Sequence, residues 1–385
     1  MTKKYPIYLD YAATTPVDPR VALKMSECLT LTGIFGNPAS SHEFGLAAKA
    51  AVEKAREQVA SLIRTVSRNI IFTSGATEAN NLALKGVAEF YQTKGKHIIS
   101  TKTEHPAVLD TCAFLKERGF SVTYLTPEKN GVISEAELQS ALRPDTILVS
   151  IMQVNNETGV FQDIAKLGMI IRKSGAFLHV DAAQSLGKIP LDVSELPVDL
   201  MSFSGHKIYG PKGIGALFIN DTPRVRLLPQ LHGGAQERKM RAGTLATHQI
   251  VGMGEACALL KENLETERAH IQHCRDRFWQ GIRDLPEVYL NSDAAYSIPN
   301  ILNVRFQGKP KESFFKQLTE VAASMASACN SIAVEPSYVL RAMGLTDEEA
   351  DRSVRFSFGR FTEEAEIDLA ITSIRKQYLK TGEVS

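Results

Sequence analysis

Lys207 stands in the stretch DLMSFSGHKIYGPKGIG (199–215), where an apolar, strand-like run through Leu200, Met201 and Phe203 gives way to Ser204, Gly205, His206 and a Gly/Pro-rich turn. A lysine held in a desolvated crevice has its pKa lowered and becomes a nucleophile toward carbonyl groups. Polar clusters of the same kind follow other strand-like runs: SGATEAN (74–80), TKTEH (101–105), MQVNNETG (152–159), and Asp181 with AAQS (182–185). Gly75, Ala76 and Thr77 fall at a strand-to-helix turn, where free backbone N–H groups and the helix dipole favour a phosphate. Ser204 and His206 can add donors to that anion. A buried Asp181 requires a cationic partner, because an unpaired carboxylate in such a crevice is costly. Phosphate, ring cation and carbonyl together describe pyridoxal 5'-phosphate, whose enzymes need a Schiff-base lysine and an acidic partner for the pyridinium nitrogen.

Taken singly, each residue has a plainer reading. Lys207 is an ordinary surface lysine, Asp181 a helix cap, His105 or His206 a hydrogen-bonded core histidine, and SGATEAN simple N-terminal capping. The turn GPKGIG is not a Walker A loop, since the G-K-[ST] ending is missing. The conjunction decides, because independent caps have no reason to gather at the same end of successive strands.

Seven runs supply those strands: NIIFT (69–73), HIIS (97–100), SVTYL (121–125), TILVSI (146–151), AFLHVD (176–181), DLMSFS (199–204) and GALFIN (215–220). Most are apolar on both faces and alternate with helical stretches such as ANNLALKGVAEFYQ and DIAKLGMIIRKSG, the latter ending on a glycine stop. This pattern predicts an α/β fold with a mostly parallel seven-stranded sheet covered on both sides. In open sheets of this kind the strand ends converge on one crevice, so His105, Asn156, Asp181, Gln184, Ser204, His206 and Lys207 are expected to share a pocket. Beyond about residue 260 a charged helix, KENLETERAHIQHCRDRFWQGIRDL, leads to two strand-like pieces, NILNVRF and SVRFSFGRF. The expected division is a large α/β domain over 15–260 and a small α+β domain from 1–14 and 261–385.

Composition limits the partners. The 385 residues are 44% hydrophobic and 23% charged with a net charge of +1, as for a soluble globular chain with no electrostatic pull toward nucleic acid or an anionic membrane. The start lacks a signal-peptide apolar run and no stretch approaches a membrane span, so a cytoplasmic location is expected. The five cysteines are scattered, with no C-x-x-C pair to suggest zinc or a redox motif. Cys112 and Cys257 lie on apolar helical patterns and read as buried and inert, Cys28 falls in the amphipathic VALKMSECL, and Cys274 is read onto a charged helix face. Cys329 differs: ASMASACNSIAVEPSYVL has little helical or strand pattern and reads as a mobile loop.

The chain resembles the NifS/IscS group of cysteine desulfurases, fold-type I pyridoxal-phosphate enzymes related to the class-V aminotransferases. The resemblance runs through YLDYAATTPVDPRV, GNPASSH, FTSGATEANNLA, TEHPAVL, VNNETG, HVDAAQS, MSFSGHKIYGPKGIGAL, HGGAQERKMRAGT, EPSYVLRAMG and VRFSFGRF. It implies that Lys207 forms the Schiff base, Asp181 meets the ring nitrogen, His105 stacks on the ring and Gln184 binds the phenolic oxygen. It places Ala76 and Asn156 among the cofactor's contacts and Thr77, Ser204 and His206 on the phosphate, where Thr244 of a neighbouring subunit joins them in a homodimer. Arg355 would hold the carboxylate of L-cysteine, with Asn37 or Asn156 nearby. Cys329 would take the sulfur as a persulfide, leaving L-alanine, and pass it to an acceptor such as an iron-sulfur scaffold or a tRNA-thiolation protein. No resident metal is implied, although Cys329 could transiently ligate a nascent iron-sulfur cluster. Where the group commonly reads S-G-S-A-C-T-S, this chain has Ala326 for the glycine and Asn330 for the threonine, changes that bear on the loop's mobility. The chain also stops soon after its last helix, whereas housekeeping members carry a longer tail for docking the scaffold. Selenocysteine lyase, aminotransferase, or a non-catalytic sulfur carrier on the same fold are the competing readings.

Overall fold

The computed structural model describes residues 5–222, 224–308, 314, 318–325 and 335–380. The sequence opens with a short strand, β1 (Ile7–Tyr8), and the seven expected runs then form β2 (Ile70–Thr73), β3 (His97–Thr101), β4 (Ser121–Leu125), β5 (Thr146–Met152), β6 (Phe177–Asp181), β7 (Leu200–Ser204) and β8 (Gly215–Ile219). These seven make one sheet in the order β2-β8-β7-β6-β5-β3-β4. Only β8 runs against its neighbours, pairing antiparallel with both β2 and β7. Strands β2, β3, β5, β7 and β8 are buried at every residue. That burial explains why their sequences are continuous apolar runs rather than alternating ones.

Two apolar cores flank this sheet. One packs Val52, Val59, Ile164, Leu167 and Ile171 from helices against Phe72, Val149, Val180 and Phe203; the other packs Leu82, Val87, Val108 and Leu115 against Ile71, Ile98, Leu148 and Leu217. The helix Ile164–Ser174 ends as its sequence predicts, with Gly175 at φ 81° and its N–H bonded to the Arg172 carbonyl.

A second, four-stranded antiparallel sheet has the order β12-β13-β10-β9, from β9 (Val288–Leu290), β10 (Ile301–Phe306), β12 (Ser324–Met325) and β13 (Ser353–Ser357). Strand β11 (Val321–Ala322) pairs instead with β1. The N-terminal segment then bridges to both sheets: Asp10 pairs with Ser357, while the N–H groups of Thr15 and Asp18 donate to the carbonyls of His206 and Tyr209.

The charged helix read from residue 261 begins much earlier, as a single 36-residue helix Thr247–Ile282. No proline interrupts the helix formers between GEACALL and KENLETE, so nothing stops the helix between them. Its first half feeds Ile250, Met253, Ala256, Cys257 and Leu260 into the large-sheet core, and its second half feeds Ile271, Cys274, Phe278 and Ile282 into the core of the small sheet. The passage from one core to the other therefore lies inside a continuous helix. Cys274 is fully buried rather than on a charged face, because the inward stripe runs at helical spacing through Ile271, Cys274, Phe278 and Ile282.

Candidate active site

The parallel strands end together at one crevice, and two loops are drawn into it by glycines that admit no side chain. A Cβ on Gly215 would lie 2.5 Å from the Phe203 carbonyl oxygen and 2.6 Å from the Gly75 backbone. A Cβ on Gly205 would meet Ile214 at 2.7 Å and the Pro211 carbonyl at 3.0 Å. The Gly/Pro-rich turn after Lys207 is thus a packing requirement, and it sets the short 3-10 turn Gly205–Lys207 beside the N-terminus of the helix Ala76–Tyr91.

The crevice is a cavity of about 540 Å³. Ala76, Thr77, His105, Asn156, Asp181, Gln184, Ser204, His206, Lys207 and Arg355 all line it. Residues as far apart in sequence as Ala76 and Arg355 meet there because the first nine follow strands of the large sheet or end one, while Arg355 projects from β13, a central strand of the small sheet. Asn37 lines a different cavity with Arg56 and Glu237, and Thr244 is exposed and lines neither. Cys329, with Ala326 and Asn330, lies outside the described residues. Met325 and Glu335, the nearest described residues on either side, both line a smaller cavity of about 160 Å³ that shares His105, Asn156 and Arg355 with the larger one.

Asp181 is 4% exposed at the end of β6. Its Oδ2 accepts from Asn80 Nδ2 at 2.7 Å and its Oδ1 from the Ala183 N–H at 2.9 Å, with no ion pair among the described residues. His105 caps the helix Pro106–Glu117, its Nδ1 accepting the Ala107 N–H at 3.1 Å, which puts the proton of the neutral ring on Nε2. Burial lowers its pKa, and the nearby Lys207 charge adds to that. Burial, reinforced by the charges of Lys207, Lys212 and Lys188, pushes His206 down to about 4, and its Nδ1 lies 3.2 Å from Thr14 Oγ1. Both imidazoles are therefore neutral near pH 7. At the helix Ala76–Tyr91 the N-cap is Gly75, which has no side chain to satisfy the first-turn N–H groups. Arg355 is nearly buried, donating to Asp10 Oδ1 at 2.7 Å and to the Asn156 carbonyl at 2.8 Å, while its Nε has no partner among the described residues.

Several contributors escape a reading of the sequence. Asn80 is visible in SGATEAN as the next residue on the face of Thr77, three positions on, but only the fold shows that it holds Asp181. Lys212 is exposed, yet lines the cavity at its rim. Asp10 and Lys188 carry no local signal.

The family model for class-V aminotransferases matches residues 7–369. The chain belongs to the class-V aminotransferases, in their cysteine desulfurase branch. It is similar to the cysteine desulfurases IscS of Pectobacterium atrosepticum and of an Enterobacter species, 60% and 59% identical over 383 residues that cover 99% of this chain and 95% of each relative. Among solved structures it resembles a NifS-like protein (TM-score 0.90, 35% identity, covering 96% of this chain and 98% of that one). It also resembles SspA in complex with cysteine (0.82, 37%, 94% and 100%).

Pyridoxal 5'-phosphate is the cofactor of this enzyme family, and the residues present fit it. A buried carboxylate with no ion-pair partner among the described residues suits the ring nitrogen, uncapped N–H groups beside Ser204 and His206 suit the phosphate, and Lys207 lines the same space. No helix of the described residues is long and apolar enough to cross a membrane, and no cluster of metal-ligating side chains occurs among them.

Proposed function

We propose that the protein removes sulfur from L-cysteine, leaving L-alanine and a persulfide on Cys329 that passes to an acceptor protein such as an iron-sulfur scaffold. The observation that carries this reading is the meeting of Lys207, Asp181, His105 and Arg355 around one cavity whose neighbour is lined by Met325 and Glu335. Cys329 is four residues from Met325, a span of up to about 14 Å at the extended rise of a chain.

When bound, the cofactor supplies a carbonyl for imine chemistry and a ring that takes up electrons from the substrate Cα. Arg355, which lines the cavity, binds the substrate carboxylate with a guanidinium that the Asn156 carbonyl and Asp10 orient through Nη1 and Nη2. Its position fixes the substrate's Cα toward Lys207, whose amine takes the Cα proton. Asp181, oriented by Asn80, would set its carboxylate against the ring nitrogen. His105 holds a proton on Nε2 and can exchange it with the substrate, since Nδ1 is occupied by the Ala107 N–H. The Cys329 thiolate attacks the substrate sulfur. An S–S bond forms, the Cβ–S bond breaks, and its electron pair returns to carbon, where a proton completes alanine.

Four of the five cysteines are poor rivals for that step. Cys28, Cys112, Cys257 and Cys274 are all buried, and desolvation raises each thiol, Cys112 and Cys257 to about 12. A homodimer suits the exposed apolar side chains Leu29, Leu31, Phe35, Phe44 and Leu46, and would let Thr244 of a second copy complete the phosphate site. Lys207→Ala tests the assignment: the variant should fold, lose covalently attached cofactor after borohydride reduction, and release no sulfide from L-cysteine. Sulfide release at the wild-type rate would end this reading.

A further inference from the structure

Lys188 is the most deeply buried lysine beside the cavity, and the reaction as proposed gives it no part. It is 8% exposed, four residues past Gln184 in the turns after β6, and forms no ion pair among the described residues. Its Nζ donates to Gln184 Oε1. The same amide donates through Nε2 to the Ala12 carbonyl at 2.8 Å. Reversing the amide would press Oε1 against that carbonyl, two acceptors in contact, and so only one orientation satisfies both neighbours. It leaves the second Nε2 hydrogen free to face the cavity that Gln184 lines.

We propose that Lys188 is a positioning residue: it holds the Gln184 amide so that an N–H, rather than a carbonyl, meets the ring oxygen of the cofactor. The inference rests on the pyridoxal-phosphate reading above. Without Lys188, Oε1 would be a buried acceptor with no partner, and the amide would lose the constraint on its rotation. Burial drives the Lys188 pKa well down, and the charges of Lys207 and Arg355 push the same way. Either protonation state still donates to Oε1. Lys207, Glu267 and the phenols of Tyr11 and Tyr209 share the narrow space behind it, so the amine is surrounded by groups whose charges it could also influence.

The test is a pH titration of the visible absorption of the holoenzyme. An N–H on the ring oxygen favours its anionic form, so Lys188→Met should raise the midpoint of the transition by about one pH unit, the loss of a charge-assisted hydrogen bond. Its thermal midpoint should change little, because relief of the desolvated amine by an apolar chain of similar volume offsets the acceptor left unpaired on Gln184. Gln184→Leu should raise the titration midpoint similarly, and adding Lys188→Met to it should produce no further shift. An unmoved midpoint in either single variant, or an additive shift in the double variant, would overturn the proposal; additivity would mean that the lysine acts by its own charge. A wild-type protein with no visible band after loading would instead remove the cofactor reading beneath it.

Discussion

Arg355, which lines the cavity, and Asp10, 345 residues away, form a 2.7 Å ion pair, so the guanidinium proposed to receive the substrate carboxylate already holds one carboxylate. Asp10 orients the guanidinium and also offsets part of its charge. These two effects separate by mutation. Asp10→Asn keeps an acceptor for Arg355 and removes the charge, so KM for L-cysteine should fall by about threefold to tenfold, the equivalent of roughly 1 kcal/mol. Asp10→Ala loses the acceptor as well, and KM should rise. Steady-state kinetics of both variants check this, and a fall of equal size in the two would show that only the charge of Asp10 matters.

Arg56 and Glu237 form a buried bidentate pair, both contacts at 2.7 Å, and Glu237 also accepts the Phe72 N–H. The pair anchors a loop in which Glu237, Arg238 and Lys239 all have positive φ, a conformation that non-glycine residues adopt at a cost. Arg56→Met leaves the Glu237 carboxylate buried alone and should lower unfolding stability by about 3–5 kcal/mol. Urea denaturation followed through Trp279 measures it. A loss below 1 kcal/mol would mean that the loop relaxes and lets Glu237 reach water.

His179, fully buried in β6, bridges Ser150 at 2.8 Å and Ser202 at 2.9 Å across three strands. Burial pushes its pKa down to about 4. The unfolded chain, with an ordinary imidazole, binds a proton between about pH 6.5 and 4 while the folded chain does not, so this site loses stability as the pH falls through that window. From pH 7 to pH 5 the loss should be about 2 kcal/mol. His179→Gln should flatten that part of the profile. A profile identical to the wild type would place the sensitivity elsewhere, with His206 the next group to examine.

What the sequence made legible was local. The strands of the large sheet are continuous apolar runs bounded by polar clusters, so NIIFT, TILVSI and GALFIN could be placed within a residue or two, and with them the side chains just past their ends. Asn80 with Asp181 and Asp10 with Arg355 could not be seen, because each pairing depends on which strands become neighbours rather than on spacing. Lys188 was hidden by its residue type, since a lysine is expected at the surface until the fold encloses it. Cys274 was misread because charged neighbours along the sequence masked its inward place on the long helix. Residues just past the strand ends, such as His105, Asp181 and Lys207, were therefore readable as cavity neighbours, but Asn37 and Thr244 fell outside that cavity and the hydrogen bonds around each member were not readable.

The most direct test of the proposed reaction is intact and peptide mass spectrometry of the cofactor-loaded protein after one turnover with L-cysteine, with alanine counted in parallel. The expected result is one alanine per chain and a gain of about 32 Da, one added sulfur atom, on the peptide that contains Cys329. Cys329→Ser should consume no L-cysteine to alanine, because a hydroxyl is far less ionised and less nucleophilic than a thiol near neutral pH. Alanine formation with the adduct on Cys28, Cys112, Cys257 or Cys274, or at full rate in Cys329→Ser, would contradict the account.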